Sequence, residues 1–289
     1  LLAVIFGYLG KLVPEANGGP FAYTKLGMGD FSAYLVAWGY WVSIWCANAA
    51  ITVSVVGYLA VFFPFLGESA LAAIATGLAI IWFFTWINSK EIKTVALVQI
   101  ITTIFKVAPI VLIGIWGMFY LQLENFTPIN LTGESNLSVI TTTTVLTFFA
   151  FLGMESATIP SGSVQDSAST VKKATIFGTI ATVFIYIFSS VSIMGVIPAE
   201  VLAQSSAPFA DVAEIFWGGA AKYIVAAGAV LATMGALNGW ILMQGAIPMS
   251  AAQAGLFPKT FGKVNKSHSP IYGIVISSFI VSIFMLFNY

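Results

Sequence analysis

Arginine is absent from all 289 residues, and the eleven lysines are balanced by eleven acidic residues. A chain with no arginine and no net charge has no basic face to neutralise a phosphate backbone, which excludes a nucleic-acid partner. Only one cysteine occurs, Cys46, inside an apolar run, so there is neither a disulfide framework nor a Cys-rich metal site. The only histidine, His268, sits in a polar stretch with no acid or cysteine beside it. No enzyme motif, metal or cofactor is therefore expected. Charge itself is scarce at 8% of residues, against about 25% in soluble domains, and this excludes a soluble globular protein.

What fills the chain instead is apolar: 59% of residues, with a mean hydropathy of +0.96. At about 20 residues per spanning helix and 10 to 15 per connection, the length holds roughly eight crossings of a lipid bilayer. The expected fold is an all-α polytopic membrane protein, with residues 1–289 as a single transmembrane domain. Proline, glycine and charge punctuation place spans near 1–12, 34–63, 70–87, 95–121, 138–163, 175–197, 223–249 and 270–287. The first is short for a crossing and is expected to be the end of a longer helix, so the chain is expected to be a fragment.

The lysines sort by loop. Nine fall in or beside alternate connections: Lys11 and Lys25, Lys90 and Lys93, Lys172 and Lys173, then Lys259, Lys263 and Lys266. The intervening connections hold only Lys222 and collect Glu68, Glu124, Glu134, Glu200, Asp211 and Glu214. Lysine retained in alternate loops marks the cytoplasmic side, which puts Leu1 outside.

Two ionisable residues remain at membrane depth, Lys106 and Glu155. Each costs several kcal/mol unless paired or hydrated, which makes both candidate functional groups. Lys106 stands about eleven residues from either end of its span, roughly 16 Å along a helix, too far to snorkel comfortably. Glu155 lies among Gly153, Pro160 and Gly162, all of which weaken a helix. A broken membrane helix frees backbone groups that a cavity, a substrate or an ion can satisfy. In span 223–249, Gly228, Ala232, Gly235 and Gly239 line one face, a packing stripe for a neighbouring helix. Trp240 follows it directly. Trp45 and Asn48 lie in span 34–63, and mid-membrane tryptophans with a few polar groups suit a small cationic or amphipathic ligand.

These residues carry a family likeness. The run Pro14-Glu15-Ala16-Asn17-Gly18-Gly19-Pro20-Phe21-Ala22-Tyr23, then Tyr40-Trp41, Asn48, Gly57-Tyr58, Phe62-Phe63-Pro64, Phe151-Leu152-Gly153-Met154-Glu155-Ser156-Ala157, Gly239-Trp240 and Ala254-Gly255-Leu256-Phe257-Pro258 resembles the amino acid-polyamine-organocation transporters. The closest resemblance is to the basic amino acid/polyamine antiporter group, which includes arginine/agmatine, lysine/cadaverine and putrescine/ornithine exchangers. It implies a five-plus-five inverted-repeat fold of about twelve helices, of which this chain would hold the second to the ninth. It further implies that Gly153 marks the break in the sixth helix and that Glu155 is the proton-sensing acid. Asn48 and Trp240 would contact substrate from the third and eighth helices, and Phe149 falls where the arginine exchanger has a stacking tryptophan. Asp166-Ser167-Ala168-Ser169 departs from the group's Asn-Pro-x-Arg. Lys106 is similar in position to a fifth-helix lysine that replaces a sodium ion in proton-coupled relatives.

The expected function is therefore secondary transport of amino acids or their amines across an inner or plasma membrane by alternating access. Substrate would meet Asn48, Phe149, Gly153, Trp240 and Trp45, with Glu155 and Lys106 as proton-coupling groups. Proton-coupled amino acid symport, or a channel or scaffold without transport, are the alternatives, and a homodimer is left open. A channel would carry polar stripes on several helices, whereas polarity here gathers at one break. The topology is directly testable. With Cys46 replaced, Ser135→Cys should react with an impermeant thiol reagent added outside and Ser167→Cys should not; the opposite pattern would invert the orientation.

Overall fold

The computed structural model describes residues 1–13, 18–90, 92–149, 151, 153–159, 164, 166–205 and 208–287, the side chains of 92–95 and 149 excepted. Pro14 to Asn17, Leu152, Pro160, Gly162 and the Phe149 side chain, all singled out in the sequence, lie outside the described residues. Nine helices of ten or more residues are described: α1 (Leu2–Leu12), α2 (Pro20–Leu59), α3 (Ala70–Asn88), α4 (Ile92–Met118), α5 (Asn136–Phe149), α6 (Ser167–Val196), α7 (Pro208–Trp217), α8 (Ala221–Gln253) and α9 (Ile271–Leu286). No strand occurs among the described residues. Five helical stretches are long and apolar enough to cross a membrane, and α1 and α9 are shorter apolar helices. This is a multi-pass helical membrane fold, as the hydropathy predicts.

Two elements differ from the sequence reading. The connection at 13–33, expected as a loop, is helical from Pro20, because Pro20 stands in the first turn, where its missing N–H is no loss. The helix is interrupted only at Gly29, whose φ of 82° a side chain would resist. Lys25 ties this piece down, donating to the Ala254 carbonyl at 3.2 Å and pairing with Asp30 at 3.4 Å. The second difference is α7, a helix within the acidic connection at 198–222. Its buried Val212 and Ala213 join an apolar cluster with Ile113 of α4 and Ile193 and Val196 of α6.

Helices α2, α3, α8 and α9 pack against one another as a unit, while α1 packs on α6 and α4 lies between α6 and α8. Apolar contact alone cannot drive association in lipid, so close packing and interhelical hydrogen bonds must hold these contacts. Both are present. The glycine stripe of α8 meets α4: a Cβ added to Gly235 would come 2.6 Å from the Thr102 Cβ, and one on Gly228 would come 3.0 Å from Pro109. The four-helix unit is tied by a buried polar seam centred on Gln244, which is fully inaccessible. Its Oε1 accepts from Asn48 Nδ2 at 2.8 Å, and its Nε2 donates to Ser278 Oγ at 2.8 Å and to the Ile274 carbonyl at 3.1 Å. Trp41 Nε1 donates to Ser277 Oγ at 2.8 Å and to the Gln244 carbonyl at 3.1 Å. Ser278 also meets Thr85 of α3 at 2.6 Å, and Asn88 Nδ2 of α3 donates to Asn238 Oδ1 of α8 at 3.0 Å.

Interhelical hydrogen bonds in membranes are worth about 0.6 kcal/mol each on average, and a polar partner left alone costs more. Gln244→Leu, which removes three such bonds, should therefore destabilise the protein by about 2 kcal/mol and lower its unfolding midpoint in detergent. An unchanged midpoint would show that the seam does not hold the four helices together.

Candidate functional site

Helix α5 ends at Phe149, and the described residues between it and α6 are not α-helical. Gly153 has a φ of +99°, which only glycine adopts without strain, and the chain then forms one tight turn at Ser156–Thr158. Short bonds close the segment on itself. Ser156 N–H donates to the Gly153 carbonyl at 3.0 Å and Thr158 N–H to the Glu155 carbonyl at 2.9 Å. The Ser156 and Thr158 hydroxyls donate to the same two carbonyls. Backbone groups released by the helix break are thus partly satisfied within the break, as a low-dielectric setting requires.

Glu155 projects from this segment to a neighbour. Its Oε1 accepts a hydrogen bond from the Tyr40 hydroxyl of α2 at 2.6 Å, and its Oε2 accepts from the Gly153 N–H at 3.2 Å. A 2.6 Å O–H to oxygen distance lies in the range of charge-assisted bonds, which are about twice as strong as neutral ones. Trp240 of α8 closes over the same spot. A Cβ on Gly153 would touch its ring at 3.5 Å, and its ring centroid lies 6.4 Å from that of Tyr40. One carboxylate, two aromatic rings and an unwound backbone therefore converge, a combination suited to an organic cation.

On the other side of the break lies a cavity of about 390 Å³. Its wall includes Lys106 of α4, Gly153 and Ser156 of the break, and Thr175, Thr179, Thr182 and Tyr186 of α6. Thr175 is 2% exposed, and its hydroxyl has no hydrogen-bond partner among the described residues. Lys106 is half-buried here and makes no ion pair among the described residues.

At the far end of the described break, Gly18 and Gly19 before α2 press on Thr158 and Ile159. Gly18 N–H donates to the Ile159 carbonyl at 2.9 Å, and a Cβ on Gly19, whose φ is +48°, would collide with the Thr158 hydroxyl. A Cβ on Gly18 would also come 2.9 Å from Ser250 of α8. These two glycines are what let three chain segments meet.

Gly153, Glu155 and Trp240 are thus brought together, and Lys106 shares a cavity wall with Gly153. Asn48 and Trp45 lie elsewhere. Asn48 is fully buried in the seam on Gln244. Trp45 packs at 4.5 Å between ring centroids on Trp41, in the aromatic cluster with Trp38. Both follow from the α-helical repeat, since Trp41, Trp45, Asn48 and Thr52 fall on one α2 face, turned toward the core. Tyr40, one residue off that stripe, is the partner that sequence reading did not assign to the site. Its signal was the Tyr40-Trp41 pair, where the first ring leaves the packing face.

A model of the amino acid permease family matches residues 1–289. An arginine/ornithine antiporter of Pseudomonas aeruginosa is 30% identical over 293 residues, 99% of this chain and 60% of that protein. An arginine/agmatine antiporter of Chlamydia pneumoniae is 30% identical over 300 residues, 100% of this chain and 62% of that protein. A cadaverine/lysine antiporter of Escherichia coli strain K12 is 31% identical over 281 residues, 96% and 62% respectively. The chain spans about 60% of the length of these relatives.

The tie between Tyr40 and Glu155 is open to a direct test. A hydrogen bond to a charged group is worth about 1.5 to 3 kcal/mol, so Tyr40→Phe should speed local opening of segment 153–159 about ten- to hundred-fold. Amide hydrogen exchange read by mass spectrometry measures this, and an unchanged rate would mean that other contacts hold the segment.

Proposed function

The chain belongs to the amino acid permease family, and from that premise we propose that it exchanges amino acids and their amines across a plasma or inner membrane by alternating access. The arrangement that carries this reading is the Tyr40–Glu155–Gly153 contact, because one titratable carboxylate joins an unwound membrane segment to a helix of the tightly bonded unit. An ionised carboxylate is acceptor-only and serves both Tyr40 and the Gly153 N–H. Protonation turns one oxygen into a donor and removes the charge assistance, so the tie loosens and the segment is free to move. A cationic substrate acts on the same group by competing for its charge.

In this reading Tyr40 and Trp240 supply ring faces to the ammonium or side-chain cation. Glu155 supplies the counter-charge, and Gly153 gives the backbone approach. Lys106, across the break, is the second coupling charge, facing the hydroxyl-lined α6 wall. Asn48 and Trp45 serve from behind, holding α2 in register so that Tyr40 is presented. The relatives named above are antiporters of arginine, ornithine, agmatine, lysine and cadaverine, which supports basic amino acids and their amines as the substrate class.

Counterflow in proteoliposomes tests the proposal. Internal amino acid or amine should accelerate uptake of the labelled partner, and a proton gradient alone should not drive accumulation. Accumulation driven by protons into liposomes lacking internal substrate would instead establish symport. Losing one aromatic contact to a cation costs on the order of 1 to 2 kcal/mol, so Trp240→Leu should weaken substrate affinity roughly ten-fold. Unchanged affinity would remove Trp240 from the site.

A further inference from the structure

We propose that the cytoplasmic ends of α1 and α6 form a binding site for the phosphate headgroup of an anionic phospholipid. A cavity of about 460 Å³ lies there, apart from the Glu155 cluster, with Lys11, Lys172 and Lys173 in its wall together with Asp166, Ile176 and Phe177. Three ammonium groups against one carboxylate leave a surplus of two positive charges. None of the three lysines forms an ion pair among the described residues, where the identified pair is Lys25 with Asp30.

The geometry follows from the sequence of α6. Ser169, Lys172, Lys173 and Ile176, all in the cavity wall, recur at the spacings that line one helix face. One edge of that face meets α1 closely, since a Cβ on Gly7 would come 3.2 Å from Ile176, and the adjoining Val171 would lie 3.0 Å from a Cβ on Gly10. The close pairing delivers Lys11, in the last turn of α1, to the two lysines of α6.

Polarity is graded along the same face. The lysines occupy its first turns, and Ile176 and Phe177 follow about 6 Å deeper at 1.5 Å per residue. Phe177 is 65% exposed and so presents its ring outward from the helix pair. A free anion needs the charges alone, whereas a phospholipid uses both parts, phosphate on the lysines and acyl carbon along Ile176 and Phe177. The lysine distribution puts this end on the cytoplasmic face, whose leaflet carries anionic lipid. A bound headgroup would clamp α1 to α6, the helix that follows the Glu155 segment.

Native mass spectrometry of the intact chain in detergent, titrated with phosphatidylglycerol, phosphatidylcholine or inorganic phosphate, tests this. Phosphatidylglycerol should bind in preference to the other two. A basic residue near an anionic surface contributes about five-fold in affinity, so Lys172→Gln should cost about five-fold and the Lys11→Gln, Lys172→Gln, Lys173→Gln triple variant roughly a hundred-fold. Replacing Lys259, Lys263 and Lys266 by Gln removes the same charge from another cytoplasmic loop and should leave the affinity within a few fold. Equal loss in the two triple variants would overturn the site, as would unchanged affinity in Lys172→Gln. Inorganic phosphate binding as tightly as phosphatidylglycerol would overturn the lipid assignment in favour of a free-anion site.

Discussion

Everything in this structure depends on the rule that a polar group inside lipid must find its partner within the protein. Gln244 is where that rule is met most fully. Its amide bonds to α2 through Asn48 and to α9 through Ser278 and the Ile274 carbonyl, and Ser278 carries the connection on to Thr85 of α3. Apolar side chains could slide past one another in a membrane at little cost, because lipid solvates them equally well. A buried amide with three partners on two other helices cannot slide. The seam therefore sets the register of α2, α3, α8 and α9, and with it the positions of Tyr40 and Trp240.

The break after α5 is the counterpart of that rigidity. Gly153 turns the chain out of helical geometry, and the freed groups are satisfied by short local bonds and by one longer reach, from Glu155 to Tyr40. The segment is thus attached to the four-helix unit through a carboxylate rather than through interlocked apolar packing alone. In the proposed mechanism it is this attachment, and not packing, on which a proton or a cation acts. Gly18 and Gly19 add a second hold, Gly18 through its backbone on Ile159 and Gly19 through close approach to Thr158.

Helices α1 and α6 form a separate pairing, held close by Gly7 and Gly10 and carrying three lysines at one end. α4 lies between this pair and α8, and it brings Lys106 into the wall of the cavity beside the break. The molecule therefore carries one membrane-depth charge, Glu155, on the unwound segment itself and the other, Lys106, on α4 in the wall of the cavity beside it. The two charges form no ion pair with each other among the described residues.

Much of this was legible in the residues alone. Hydropathy located the crossings, because the cost of burying charge in hydrocarbon is paid residue by residue and needs no knowledge of neighbours. Gly153 beside Glu155 marked the break for the same reason, and the glycine stripe of α8 marked a close helix contact, which α4 supplies. The helix inside 13–33 was hidden because glycine and proline punctuate a loop and start a helix equally well. What only the tertiary structure decided was partnership: Tyr40 rather than Asn48 meets the Glu155 segment, Asn48 belongs to Gln244, and Lys106 faces the hydroxyls of α6. Burial cost depends on a residue's own chemistry and span, but which two side chains meet depends on the rotation of each helix about its axis. A turn of 100° separates Tyr40 from Trp41, and that rotation is set by long-range contacts such as those of Gln244.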